Sequence, residues 1–373
     1  MCLGLSTARR MAPGPSVRGS GITRPPSINK GVRQLRRFWA VSAEPMPVTN
    51  LTLSARLLVV IPTKDRCAML RDLLVDLEGQ TCPPARILIV DAGREGLVAG
   101  LEGVLDPDRV KVIRHQTPSA AAQRNRGVKA AQGQAELIAL LDDDIALAPD
   151  ALERMLAFWS SPRAEGVVGA GFNQVDAAAG AARGGLKYSW LAERFGLYSR
   201  RPGAVAPSGW QSVIGTVDCD TSVDWLPTGA AVWRADILLG IGGFDEYFIG
   251  YSYLEDLDLS WRARRLGALV VVADARYEHR YATAGKIGAV EFGRFEVRNR
   301  LYFVRKHGLS RARCLIGLLI RSAMTLAAAV RHRDRGMLER FVGNLRGLGE
   351  LAVIRKPGHR AAAARPGPDA DGR

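Results

Sequence analysis

The chain has 373 residues, 47% hydrophobic and 24% charged, an ordinary globular balance with enough apolar material for a core and room for one large domain or two small ones. The net charge of +15 sits in the tails: residues 1–50 carry eight Lys/Arg against one acid and residues 305–373 fifteen against five, which leaves the centre near neutral. Five scattered cysteines without a CxxC pair argue against a disulfide framework or structural zinc and for a reducing cytoplasm. No zinc-finger spacing accompanies the basic tails, so they speak for anionic lipid or plain solubility rather than nucleic acid.

Residues 1–54 are rich in Gly, Pro, Ser and Arg without a period and are expected to be disordered, too polar at the start for a secretory signal, with Met46 a candidate start. From Leu57 the pattern changes. Leu57–Ile61 is a continuous apolar run ended by Pro62, as a buried parallel strand requires, and residues 67–79 place Leu70, Leu73, Leu74 and Leu77 on one helical face. Ile87–Val90, Val110–Arg114 and Leu137–Leu141 read as further strands, with a helix over Ser119–Ala131. Strands alternating with helices imply βαβ units, and ligands of such sheets sit beyond the carboxyl ends of the strands. Those ends carry Pro62-Thr63-Lys64-Asp65, Asp91 and Asp142-Asp143-Asp144.

Residues 174–212, rich in Ala, Gly and Arg, read as an insertion or flexible flap. Order is expected again from Val213 through Trp225–Trp233, then helices near 234–240 and 255–266, a strand at 269–272 and a long helix over 286–307. The apolar stretch Leu315–Val330 is interrupted by Arg321 and falls short of the ~18 residues of a spanning helix. Leu338, Phe341, Val342, Leu345 and Leu348 then follow a helical period, giving a basic amphipathic extension over 308–356 and a frayed tail over 357–373.

Three adjacent carboxylates after an apolar strand repel one another, and a hard divalent cation relieves that cost. Residues i and i+2 of an extended segment point the same way, so Asp142 and Asp144 form the natural pair; a loop or helix-capping cluster is the other reading. Asp91 is either a nucleotide-binding acid or a plain turn residue. Glu255-Asp256 opens a helix, where its acids serve the helix dipole or, if they face the metal site, take a proton from a hydroxyl. Arg124 is either a surface arginine or part of a phosphate or ribose site, and a lone His279 is more often a core or surface residue than a ligand.

In order and spacing, Val59-Val60-Ile61-Pro62-Thr63-Lys64-Asp65-Arg66, Ile89-Val90-Asp91, Gln123-Arg124-Asn125-Arg126-Gly127, Leu141-Asp142-Asp143-Asp144, Gly242-Gly243-Phe244-Asp245-Glu246 and Glu255-Asp256-Leu257-Asp258-Leu259 resemble the family-2 glycosyltransferases across residues 57–305. The resemblance implies a GT-A fold over residues 55–307: an α/β domain with a Rossmann-like, mostly parallel sheet flanked by helices. It implies inverting transfer from a nucleotide-diphosphate sugar. A glycan or lipid-linked acceptor at the inner face of the plasma membrane is the expectation that the basic amphipathic C-terminus supports, a bundle helix packed on the domain being the other reading. Pro62, Thr63, Asp65, Asp91, Arg124, Asp142 and Asp143 would surround the donor, and Asp142 and Asp144, with His279, would hold Mg²⁺ or Mn²⁺. Asp256, beside Glu255, would be the general base, and Gly229 would lie between donor and acceptor. The sequence departs from the family where Ala92-Gly93 follows Asp91 in place of a second acid, and residues 174–212 have no counterpart. A retired GT-A-like binding subunit and a nucleotidyltransferase are the alternatives; the second would want a glycine-rich loop where Pro62-Thr63-Lys64-Asp65 has no glycine.

Overall fold

The computed structural model describes residues 54–94, 101, 106, 108–175, 189–248, 252–280 and 287–354. The chain divides into Met1–Met46 and Pro47–Arg373; of the segment 1–54 expected to be disordered, residues 1–53 lie outside the described residues and Ser54 is buried, and the expected tail 357–373 lies outside them too.

Nine strands form one sheet: β1 (Leu57–Thr63), β2 (Arg86–Asp91), β3 (Val110–Arg114), β4 (Leu137–Leu141), β5 (Ile145–Leu147), β6 (Val167–Gln174), β7 (Thr221–Val223), β8 (Ala230–Arg234) and β9 (Ala268–His279). Their order is β3-β2-β1-β4-β8-β6-β9-β5, with β7 also paired to β9. The parallel arrangement expected from the sequence holds over β3-β2-β1-β4. Beyond β4 the sheet is mixed rather than mostly parallel: β8 runs antiparallel to both β4 and β6, and β9 is parallel to β6.

Every residue of β1 is buried because the strand is covered on both faces. Leu57, Val59 and Ile61 enter a core completed by α1 (Cys67–Glu78), through Leu70, Leu73, Leu74 and Leu77, and by α3 (Ala151–Trp159). Leu58 and Val60 face the opposite core, shared with α2 (Ala120–Ala130), α5 (Ala235–Gly240) and α6 (Glu255–Ala263). The two-residue period of a strand thus builds two cores at once. Ser119 caps α2 by accepting from Ala122 N, and Gly127 lets that helix approach β1 where a Cβ would collide with Val60.

A third core lies under α7 (Ala289–Lys306), α8 (Arg311–His332) and α9 (Arg335–Ile354). Residues 189–212, expected as part of a flexible flap, are packed instead: α4 (Trp190–Arg194) leads into a segment that buries Leu197, Tyr198 and Trp210 against α7 and α8. Aromatic anchors made that Ala/Gly-rich stretch a core partner, and residues 176–188 lie outside the described residues. Helix α8 is also longer than the apolar stretch Leu315–Val330, long and apolar enough by length and composition to cross a membrane. Cys314, Gly317, Leu318, Ser322, Thr325 and Ala329 bury one of its faces at helical spacing.

Candidate functional site

The carboxyl ends of β1, β2 and β4 stand side by side, because β1 pairs in parallel with both neighbours. Gln123 of α2 ties two of these ends together, donating from its amide nitrogen to Thr63 O and Val90 O, both at 2.8 Å. Arg124 and Asn125, the next two residues, reach the rest of the site.

Arg124 is buried and forked between two acids: Nη2 lies 2.6 Å from Asp142 Oδ1 and Nη1 lies 2.9 Å from Glu255 Oε1. The alternative of a surface arginine therefore falls away. One guanidinium joins the carboxylate after β4 to the first residue of α6, residues far apart in sequence. Asn125 donates to Phe244 O and Glu246 Oε1 and accepts from Phe244 N, which fixes the Gly242–Glu246 loop against α2.

The three aspartates after β4 divide their partners. Asp143 is buried, accepting from Thr63 Oγ1 at 2.6 Å and from Arg66 Nη1 at 2.9 Å. Burial still pushes its carboxyl up to about 6. Arg66 also reaches Asp144 at 3.3 Å, and His279 Nε2 lies 3.7 Å from Asp144 Oδ1. Asp144 is raised by burial and by the charge of Asp142. His279 arrives there because Ile145 pairs with it across β5 and β9, and Arg280 N donates to Asp144 O. Arg66 belonged to a motif but had been given no role; a cation one residue past Asp65 was the signal.

Asp91 is buried at the end of β2, paired with Arg114 and accepting from Gly93 N at 2.7 Å. Asp65, at φ 54°, accepts from Arg94 N at 2.9 Å. Both acids therefore order the β1 and β2 loop edges, with Asp65 exposed and Pro62 buried within β1.

Asp142, Arg124, Glu255, Asp256 and His279 line one cavity of about 120 Å³, closed on one side by Pro227, Thr228 and Gly229. Gly229 O accepts from Asp142 N, and any Cβ at Gly229 would strike the Asp142 carboxylate. The turn into α6 is strained: Ser252 and Leu254 hold φ of 54° and 78°, a left-handed region that costs a non-glycine residue roughly 1–2 kcal/mol. Buried Asn299 of α7 holds that turn by donating to Tyr253 O at 2.8 Å. Strain overridden by tertiary contacts, directly before two acids at the mouth of a helix, is typical of functional positions. Burial and then the charge of Asp256 push Glu255 up to about 8, against the pull of Arg124. Burial raises Asp256 to about 6, while Leu257 N, Arg124 and Arg300 act the other way.

Among the described residues no group of three or more His, Cys, Asp or Glu side chains forms a metal cage. The Asp142 and Asp144 carboxylates instead offer a partial set of hard oxygen donors, already engaged with Arg124 and Arg66, with the His279 imidazole beside them. Such a set suits Mg²⁺ or Mn²⁺, which takes one or two carboxylates and fills its shell with substrate phosphates and water.

Residues 58–201 match the family described as Glycosyl transferase family 2. The pre-mycofactocin glycosyltransferase of Mycobacterium tuberculosis, in two strains, is 27% identical over 226 residues, covering 60% of this chain and 42% of the relative. The chain thus spans less than half the length of these curated relatives. Among solved structures, a mannosyltransferase from Pyrobaculum calidifontis in complex with GDP-Man and Mn²⁺ is 13% identical, covers 79% of this chain and 87% of its own, and gives a TM-score of 0.49. GalNAc-T7 with UDP, GalNAc and Mn²⁺ is 16% identical, covers 67% and 50%, and gives a TM-score of 0.48. The family match runs from β1 to the segment after α4, and the motifs beyond it fold back onto the same sheet edge, so over this part the chain is similar to the family-2 glycosyltransferases.

Proposed function

We propose that the protein transfers a sugar from a nucleotide-diphosphate sugar to a hydroxyl of a glycan or lipid-linked acceptor, with inversion, using Asp256 as general base. The observation that carries this reading is the single cavity in which the Asp142 carboxylate, the Arg124 fork and the Glu255-Asp256 pair converge beyond β4. The family match over residues 58–201 agrees with it, as does the name of the curated relatives.

Thr63 and Asp143, locked together, shape the floor beneath the donor, and Asp65 and Asp91 set the two loop edges that flank it. Arg124 holds Asp142 and Glu255 apart at fixed positions, so that two acids in one cavity do not collapse or repel. Asp256 faces the same cavity with one backbone donor on its carboxylate, from Leu257 N at 2.7 Å, which leaves acceptor capacity for an incoming hydroxyl. As that hydroxyl oxygen bonds to the anomeric carbon, its proton passes to Asp256 and the bond to the diphosphate oxygen breaks on the opposite face. A divalent cation held by Asp142 and Asp144, with His279 beside them, would neutralise the charge growing on the leaving diphosphate.

The reading includes a place of work at the anionic inner face of the plasma membrane. It is supported by α8 and α9, which leave Leu315, Ile316, Leu319, Val330, Leu338 and Leu345 exposed among Arg311, Arg313, Arg331, Arg333 and Arg335.

Calorimetry with UDP, GDP, dTDP and CDP sugars, each with Mn²⁺ and with EDTA, tests the donor site. One donor bound only with metal is the expected outcome. Binding that EDTA leaves untouched would refute the metal, and silence from every donor would refute the transferase.

A further inference from the structure

A second cavity, of about 280 Å³, adjoins the first and shares Pro227 and Tyr277 with it. Beside residues of β6 and β9 and of the 225–227 and 253 turns, its walls include three parts of the chain that the donor chemistry does not use: the 210–215 segment, α7, and the two C-terminal helices. Trp210, Trp225 and Tyr253 supply aromatic surface, and the charged lining is Arg300, Arg321 and Arg340 with one acid, Glu296. The formal excess of positive charge is thus two.

That acid is already committed. Glu296 is bound by Arg321 Nε at 3.2 Å, by Arg340 Nη2 at 2.8 Å and by Asn344 Nδ2 at 3.2 Å, and these neighbours hold its carboxyl below the usual range against the cost of burial. Arg300, one turn further along α7, is fully buried, yet among the described residues no carboxylate lies within ion-pair reach of it. Its partners are neutral: Gly209 O, Gln211 Oε1 at 2.7 Å, Tyr253 OH at 3.3 Å and the Trp210 ring at 4.3 Å. Its Nε has no partner among the described residues. A buried guanidinium without a counter-ion is costly and almost always paired. Placed in a cavity wall, it is built for a charge that arrives with a ligand.

We infer that this cavity is the acceptor site and that the acceptor carries an oxyanion, a carboxylate or a phosphate, close to the sugar that is extended. The inference rests on the transferase reading of the adjoining site and adds the acceptor's chemical class. Aromatic walls with a few convergent polar groups suit a sugar ring, and Arg300 supplies a rigid fork for the oxyanion. The shared Pro227 and Tyr277 set this cavity beside the one that Asp256 lines.

Val213, 61% exposed, lines the cavity and can be changed without touching a core. The full chain and its Val213→Glu and Val213→Lys variants are titrated with methyl β-glucuronide, glucose 6-phosphate and neutral methyl β-glucoside. At least one anionic probe should bind about tenfold more tightly than the neutral one, lose that margin in Val213→Glu and keep it in Val213→Lys. Preference for the glucuronide identifies a uronate-type acceptor, and preference for the phosphate identifies a phosphorylated or lipid-phosphate one. No preference for charge, or a preference indifferent to Val213→Glu, overturns the inference. Nucleotide-sugar binding measured on the same preparations separates the two readings: donor bound without anion preference refutes the acceptor class alone, and anion preference without donor binding refutes the transferase.

Discussion

Asp256 and Asp144 sit in one site with different duties, and substitution should separate them. Asp256→Asn keeps size and removes basicity; turnover should fall by ~10²–10⁴ while donor affinity stays near wild type, since a general base acts only on the acceptor proton. Asp144→Asn should instead weaken metal-dependent donor binding, measured by the same calorimetry. Wild-type turnover in Asp256→Asn would refute the assignment of the base. A pH profile provides a second check at the same residue. Burial holds Asp256 at about 6, above the ordinary aspartate range, so below that value the carboxyl is protonated and cannot accept. Turnover at saturating donor should therefore rise with pH through about 6, and a flat profile between pH 5 and pH 7 would exclude Asp256 as the titrating base. Gly229 adds a steric limit: Gly229→Ala should displace the Asp142 carboxylate and raise the donor KM without unfolding the protein.

At the scale of elements, α7 keeps the site in register. Asn299 holds the strained turn before α6, Tyr302 donates to Asp245 Oδ2 at 2.7 Å, and Lys306 reaches both Asp245 and Asp258. The Gly242–Glu246 loop and α6 are thus pinned by one helix lying outside the parallel sheet. Asn299→Ala leaves the Tyr253 carbonyl unsatisfied, and a cost of about 1–3 kcal/mol is expected in denaturant unfolding. A KM for donor that holds while kcat falls would mark the turn as positioning Asp256; equal loss in both would leave it merely structural. The elements nearest the chemistry were the ones legible in the sequence. The strand ends at Thr63, Asp91 and Leu141 and the helix from Ser119 could be read because unbroken apolar runs and a capping serine announce themselves locally. Strand β6, Val167–Gln174, was missed because its Gly-Ala-Gly centre lacks the bulk that marks a strand, those glycines making room for Trp233 and Leu226. Glu296 and Arg300 were equally hidden: nothing in the long helix expected over 286–307 marks them out, and only folding shows them buried and bonded to different partners.

At the scale of the whole molecule, the C-terminal helices serve two faces. Inward, α8 and α9 present Arg321 and Arg340 to the second cavity, Asn344 bonds Glu296 in its wall, and Gly343 and Gly347 let α9 press against α7. Outward, their apolar and arginine side chains have no role in the core. Removing everything after Lys306 would therefore strip α7 and destroy the second cavity, which makes truncation a poor test of membrane binding. Leu319 and Val330, 58% and 72% exposed, are the better handles, since neither supports the packed face of α8. The double variant Leu319→Glu, Val330→Glu should lose most of its binding to vesicles containing anionic phospholipid. Burying a side chain of this size contributes about 1.5–3 kcal/mol, so the two together are worth roughly a hundredfold or more in partition. Added salt should weaken wild-type binding to the same vesicles, because the arginines act through a screened surface potential. Turnover on a short water-soluble acceptor should not change, as the cavities lie on the other side of the helix pair's packed face. Wild-type sedimentation of the double variant with anionic vesicles would end the membrane reading and leave the exposed face of α8 and α9 to another partner.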